Sequence, residues 1–92
     1  MNCESIKFSE HAFTQMFRRM ISINEVKEVI KNGQIIANYP TDKPFPSVLL
    51  FTFIEERPMH VVLAKNNEGN CFVITAYEPD KNLWNEDFLT KK

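Results

Sequence analysis

Apolar residues recur every three or four positions in the first third of the chain and at alternate positions after it. The helical spacing between Ser9 and Met20 predicts an amphipathic helix, because it gathers the apolar side chains on one side. Ser9 stands where a side-chain oxygen can cap the first free backbone N–H groups. The predicted apolar stripe of this helix consists of Ala12, Phe13, Met16, Phe17 and Met20.

A second helix is predicted to follow almost without a loop and to run to about Asn32. Ser22 and Glu25 have the spacing of a capping box, in which each side chain accepts a hydrogen bond from the backbone N–H of the other. Gly33 is well placed to end this helix in the left-handed conformation that favours glycine. Two short helices in succession indicate a helical hairpin or elbow.

Beyond Gly33 the spacing of apolar residues changes to two, which is the period of a β-strand. Strands are predicted at residues 34–39, 48–54, 59–65 and 70–77. Their short links favour antiparallel hairpins, since parallel neighbours need a long crossover. The predicted fold class is α+β, with two N-terminal helices packed on a four-stranded antiparallel meander sheet. Residues 6–8 form a strand-like stub, and residues 80–92 a tail that docks on the sheet or its edge.

Alternation also predicts which face of the last hairpin is open. Pairing Lys65 with Asn70 places His60 opposite Thr75, in a register that a slip of one residue would reverse. The bulkier face, expected to meet the helices, collects Met59, Val61, Leu63, Phe72, Ile74 and Ala76. The smaller and more polar face, expected to be open, collects His60, Val62, Ala64, Cys71, Val73, Thr75 and Tyr77.

Length and composition indicate a single folded domain, residues 1–92, with 43% hydrophobic residues. The sequence contains no apolar run long enough to span a membrane and no signal pattern, so a cytoplasmic protein is expected. The net charge of −1 argues against functions that need a strongly basic surface. Cys3 and Cys71 are far apart in the sequence and have no CxxC motif or His-rich segment near them, as a metal site would need. They are therefore expected to be reduced thiols.

The candidate chemistry comes from the only two histidines, His11 and His60, together with nearby cations. Cleaving RNA without a metal requires a base for the 2′-hydroxyl, a cation for the charged phosphorane and an acid for the leaving 5′-oxygen. His11, His60, an arginine at position 18 or 19, and Tyr77 are groups of the right kind. Ordinary surface and strand roles are the alternative for every one of them, and composition alone favours that alternative.

The order of several short motifs resembles the bacterial family known as domain of unknown function 4258. The likeness extends from about Phe8 to Lys91. Two positions depart from the pattern of that family: Gln15 replaces an arginine, and Met20 replaces a glycine. The matching positions are His11-Ala12, Arg19, Ile21-Ser22, Tyr39-Pro40, His60-Val61-Val62, Thr75, Tyr77, Pro79-Asp80 and Trp84.

This resemblance implies a relation to the RelE-like and barnase-like ribonucleases, which need no metal or other cofactor. It implies the toxin of a bacterial toxin–antitoxin pair, with mRNA as substrate, free or on the ribosome, and a cognate antitoxin protein as partner. The implied catalytic residues are His11, Arg19, His60 and Tyr77, and the implied substrate-binding residues are Gln15, Arg18 and Thr75. These roles require that both imidazoles and a guanidinium meet in one solvent-reachable hollow. The alternative is a non-catalytic protein-binding module of the same fold.

Overall fold

The computed structural model describes residues 1–92 and contains two helices and five strands. None of the helices is long and apolar enough to cross a membrane. The strands lie in one sheet in the order β1-β5-β4-β3-β2. The elements are β1 (Ser5–Phe8), α1 (Glu10–Arg18), α2 (Ile23–Asn32), β2 (Gln34–Tyr39), β3 (Ser47–Ile54), β4 (Arg57–Lys65) and β5 (Asn70–Tyr77).

The predicted four-stranded antiparallel sheet is wrong, although the fold is α+β. Strands β2 to β5 do form antiparallel neighbours, but β1 adds a fifth strand that pairs parallel to β5, with Ser5 opposite Asn70 and Phe8 opposite Val73. The sheet is therefore mixed. The local spacing of residues 6–8 could not reveal this pairing, because the partner strand lies more than sixty residues further along the chain.

The first helix is shorter and less buried than its apolar spacing predicts. Ser9 caps it as expected, since its hydroxyl accepts a hydrogen bond from the Ala12 N–H at 3.0 Å. Only Ala12 and Met16 are buried, whereas Phe17 is 86% and Met20 is 83% exposed. A helix of nine residues that lies over the edge of a sheet can bury only a narrow stripe, so the outer aromatic side chains remain in solvent.

The left-handed residue predicted after α2 is found instead after α1. Met20, not a glycine, takes the left-handed conformation after α1, with φ of 57°. The Ile21 N–H then bonds to the Met16 carbonyl, which completes a Schellman motif. Gly33 is extended, with φ of −72°, so its predicted left-handed stop is wrong. Glycine is needed there because a Cβ atom would lie 2.4 Å from the Val29 carbonyl oxygen.

The predicted capping box of α2 is confirmed. The Ser22 hydroxyl accepts a hydrogen bond from the Glu25 N–H at 3.0 Å, and the Glu25 carboxylate accepts one from the Ser22 N–H at 2.9 Å. The box satisfies two N–H groups that the first turn of a helix leaves free. It also fixes the elbow between α1 and α2, where the chain passes close to the end of β5.

A bulge in the last hairpin makes the predicted register wrong. Lys65 pairs with Cys71 and His60 with Tyr77, and the register shifts between Val62 and Leu63. The shift leaves Ile74 as an extra, exposed residue in β5. As a result, Thr75 and Tyr77 share the face of His60 as predicted. Cys71 and Val73 turn to the helix face, and Phe72 turns away from it, which reverses the predicted parity of the first half of β5.

Each face of the sheet has its own apolar cluster. On the helix face, thirteen buried residues form the main core; Ile21 lies between the helices, and the others come from α1, α2 and strands β3 to β5. On the opposite face, Leu49 and Phe51 from β3 pack against Trp84 and Phe88 of the C-terminal segment. We call residues 79–92 the strap. The predicted docking of the tail is thus confirmed, and it covers one end of the face that the sequence left open.

The prediction that both cysteines are reduced thiols is also wrong. Cys3 and Cys71 form a disulfide, with their Cα atoms 5.6 Å apart. Cys3 lies just before β1, and the parallel pairing of β1 with β5 brings it beside Cys71. The sequence could not indicate this bond, because it depends on the unexpected fifth strand.

Candidate functional site

A hydrogen-bonded polar cluster joins the end of α1 to β5. The Arg19 guanidinium donates from Nη1 to the Ala76 carbonyl at 2.8 Å, to Thr75 Oγ1 at 3.2 Å and to Gln15 Oε1 at 3.5 Å. Thr75 Oγ1 donates to Gln15 Oε1 at 2.8 Å. We call Gln15, Arg19 and Thr75 the α1–β5 cluster. It forms because β1 pairs with β5 only as far as Val73, so the edge of β5 beyond that residue is open to the helix.

The cluster leaves several hydrogen-bond donors unused. Arg19 is exposed, and all of its side-chain hydrogen bonds come from Nη1, so Nε and Nη2 make none within the chain. That edge of a guanidinium can bind two oxygens of a phosphate in parallel. Gln15 uses only its oxygen, so its amide N–H groups also remain available. The arrangement therefore leaves donors on two neighbouring side chains available to an anion.

Arg57 holds the backbone beneath this cluster, a role that sequence reasoning missed. Its guanidinium donates to the carbonyls of Arg19 at 3.1 Å and Met20 at 3.2 Å. It also pairs with the carboxylates of Glu25 at 3.2 Å and Glu78 at 2.9 Å. Arg57 thus ties the carbonyl end of α1 to α2 and to the end of β5. No local signal could identify it, because its partners lie far from it in the sequence.

His60 and Tyr77 form a second pair, on the same face as Thr75. His60 Nε2 lies 2.9 Å from the Phe88 carbonyl oxygen, and Nδ1 lies 3.3 Å from the Tyr77 hydroxyl. Because a carbonyl only accepts, Nε2 carries the proton, and in the neutral ring Nδ1 accepts from Tyr77. Burial lowers the pKa of His60, and the hydrogen bond to the Phe88 carbonyl opposes this only in part. His60 is therefore neutral at pH 7.

Tyr77 connects this pair to the α1–β5 cluster. Burial raises the pKa of Tyr77, Tyr39 raises it further, and the Arg19 cation lowers it in part. Tyr77 therefore keeps its proton at neutral pH and can act as a hydrogen-bond donor. Tyr39 is a neighbour that the sequence analysis did not assign to the site. Tyr77 is partly accessible, and Tyr39 is exposed.

The expected solvent-reachable hollow with both imidazoles does not form. His60 is fully buried, because Trp84 and Phe88 of the strap cover it and its ring meets Trp84 edge-on at 4.5 Å. His11 is exposed on α1 and makes no hydrogen bond or ion pair within the chain. The strap therefore separates His60 from solvent, a covering that strand alternation cannot predict. In this conformation His60 cannot touch a substrate, which corrects its expected role as a directly exposed catalytic group.

His11 lies on the same side of α1 as the cluster. Gln15 follows His11 by four residues, and Arg19 follows Gln15 by four, so the three form one row with a spacing of about 6 Å along the helix. Arg18 is exposed, and its side chain forms no hydrogen bond or ion pair with these residues. The structure thus brings together Gln15, Arg19, Thr75 and Tyr77, with His11 one turn away, and leaves Arg18 apart. No group of three or more His, Cys, Asp or Glu residues could hold a metal ion.

Comparison with known proteins adds a family but no described activity. The model of the family described as domain of unknown function (DUF4258) matches residues 8–78. The matched range begins at the last residue of β1 and ends one residue after β5, so it includes the α1–β5 cluster, His60 and Tyr77. No curated protein and no solved structure matches the chain.

Proposed function

The chain belongs to the DUF4258 family, and on that premise we propose that it is a metal-independent endoribonuclease and the toxin of a bacterial toxin–antitoxin pair. The observation that carries the proposal is the α1–β5 cluster. It brings Arg19 and Gln15 against Thr75, almost sixty residues away in the chain, while the phosphate-binding edge of Arg19 stays free. Those exposed donors bond only to solvent in the free protein, so they remain available to the phosphate of a bound RNA.

In the proposed reaction, RNA lies along the row formed by His11, Gln15 and Arg19. A base takes the proton of the ribose 2′-hydroxyl, and the 2′-oxygen attacks the adjacent phosphorus. The bond to the 5′-oxygen breaks, and an acid protonates that oxygen, which leaves a 2′,3′-cyclic phosphate and a 5′-hydroxyl. Arg19 and the Gln15 amide stabilise the charge on the phosphorane. His11 is the accessible acid or base, and Tyr77 is a second proton donor.

The same proposal assigns a substrate, a partner protein and a cellular location. The substrate is single-stranded RNA, the partner is an antitoxin protein, and both place the protein in the cytoplasm. A reducing cytosol opens most disulfides, so a cytoplasmic location requires that the Cys3–Cys71 bond be protected. Cys71 is fully buried, which slows attack by external thiols.

The direct test is RNA cleavage in the presence of a chelator. Wild type should cut a single-stranded RNA and should fail on the same oligonucleotide with 2′-deoxyribose, which lacks the attacking oxygen. Arg19→Gln should lower the rate by about 100-fold or more, as expected when a donor to developing charge is removed. Arg18→Gln is the matched control, since it removes the same charge one residue away and should change the rate by less than about threefold.

The structure also favours a second candidate, a non-catalytic protein-binding module. His60 is sealed, and the other flank of α1 exposes the apolar residues Phe17 and Met20. In this alternative, the cluster holds α1 on β5 and the exposed flank binds a protein. Wild type would then cut no RNA and would not slow bacterial growth. A Phe17→Ser variant would lose a protein partner recovered with wild type, whereas Arg19→Gln would keep it.

A further inference from the structure

The strap, residues 79–92, is joined to the sheet by very few polar contacts. All of its backbone-to-backbone hydrogen bonds are internal, such as those from the Asn85 N–H to the Thr90 carbonyl and from the Lys92 N–H to the Leu83 carbonyl. One hydrogen bond links it to the rest of the chain, between the Phe88 carbonyl and His60 Nε2. The strap is thus a self-contained loop that does not extend the sheet.

Apolar packing supplies the rest of its attachment. Trp84 and Phe88 are 8% and 9% exposed, and they pack with Leu49 and Phe51 in a cluster of four buried residues. The main core on the helix face has thirteen. The strap packs on the sheet through a small apolar contact and one hydrogen bond. Its detachment therefore costs less free energy than unfolding of the sheet beneath it.

The strap also lies outside the part of the chain that the family model matches. That match ends at residue 78, directly before Pro79, where the strap begins. All seven helices and strands precede this point. The element that covers His60 therefore follows the last strand and contributes no helix or strand to the fold.

We propose that the strap is an autoinhibitory plug. In the closed state it covers His60 and occupies the surface on which RNA must lie to reach that imidazole. When the strap opens at Pro79, His60 loses its bond to the Phe88 carbonyl and meets solvent together with Tyr77, next to the phosphate-binding edge of Arg19. What the opened surface does rests on the proposed ribonuclease function, whereas the opening itself does not.

The experiment uses the full chain with Trp84→Ala and Phe88→Ala combined. Leu83→Ala is the matched control, since Leu83 lies in the strap but is 59% exposed. The first readout is the reaction of His60 with diethyl pyrocarbonate, followed by mass spectrometry. The double variant should react at least about tenfold faster than wild type and the Leu83→Ala control, while His11 reacts equally in all three. If His60 reacts no faster in the double variant than in wild type, the proposal that the strap is a plug is overturned.

RNA cleavage is the second readout and separates the two proposals. If wild type cuts RNA, the double variant should cut at least about tenfold faster. An exposed His60 without faster cleavage would overturn autoinhibition. An exposed His60 with no cleavage by any form would refute the ribonuclease and leave the opening of the strap established. If the double variant does not fold, hydrogen exchange of the backbone amides in wild type tests whether the strap opens. Strap amides should exchange at least about tenfold faster than those of β4, and equal rates would overturn the proposal.

Discussion

The two faces of the sheet are covered in different ways. The helix face holds most of the buried core, whereas the face under the strap holds residues of the proposed site. Two capped helices cover one face through a core of thirteen buried residues, and the Cys3–Cys71 disulfide lies within it. The strap covers part of the other face through four buried residues and a single hydrogen bond. The titratable pair His60 and Tyr77 lies on the lightly covered side, where a cover can leave without unfolding the domain.

The comparison predicts that the smaller truncation on the helix face costs more stability than the larger one on the strap face. Leu63→Ala on the helix face leaves a cavity in a fully buried site, and it should lower the free energy of unfolding by about 3–5 kcal/mol. Phe88→Ala on the strap face should cost less than half as much, because the strap can detach while the sheet stays folded. Urea unfolding of both variants measures the difference, and equal losses would show that the strap belongs to the same cooperative unit.

Reduction of the disulfide should weaken the helix-face core next. The bond joins residues 68 positions apart, and a loop of that length gains considerable entropy in the unfolded chain when the bond is broken. Reduced wild type should lose about 2–4 kcal/mol of unfolding free energy. Cys3→Ser should show the same stability with and without reductant. A wild type that is insensitive to reductant would mean that the bond does not form in solution.

The strap face should carry a pH dependence that the helix face lacks. Burial holds the pKa of His60 below its ordinary value, so the unfolded chain binds a proton more readily than the folded one. Stability from this group is therefore complete above the unfolded value of about 6.5, and it falls by up to about 1.4 kcal/mol per pH unit as the pH drops from there toward the folded pKa.

Unfolding measured between pH 7.5 and 5 tests this slope. His60→Gln should flatten it, while His11→Gln, a substitution at an exposed site, should leave it unchanged. An equal slope in the His60→Gln variant would assign the acid sensitivity to other groups.

The smallest effect is expected at the elbow between the helices. Met20 has φ of 57° and an exposed side chain, so it bears the cost of the left-handed conformation without a packing gain. Met20→Gly should raise the free energy of unfolding by up to about 1 kcal/mol. Met20→Ala is the control, since it removes the side chain but keeps the Cβ, and it should be close to neutral. A destabilised glycine variant would contradict the Schellman geometry.

Local patterns predicted the helices, the four antiparallel strands and the capping box, because each depends on residues within one or two turns of chain. Gln15, Arg19 and Thr75 were named through the family resemblance, and no local spacing indicated that α1 would bring the first two to the edge of β5. The parallel β1–β5 pair and the disulfide that follows from it join distant parts of the chain, and no spacing reveals them. The Ile74 bulge reversed the parity of half a strand for a similar reason.

The covering of His60 by the strap could not be predicted from the sequence, for a different reason. Trp84 and Phe88 show no periodicity that indicates where they dock, because the strap has neither a helical nor a strand pattern. Its position depends on the shape of the apolar surface around Leu49 and Phe51, which exists only after the sheet has formed. The most consequential feature of the candidate site is thus the one with the weakest local signal.

The most direct test of the central claim is an NMR titration of isotope-labelled protein with a 2′-O-methyl RNA, which can bind but cannot be cleaved. The account predicts shifts of the Arg19 Nε–H and the Gln15 side-chain amide, followed by the Trp84 indole as the strap is displaced. Shifts confined to the surroundings of Phe17 and Met20, or no shifts at RNA concentrations in excess of the protein, would contradict it.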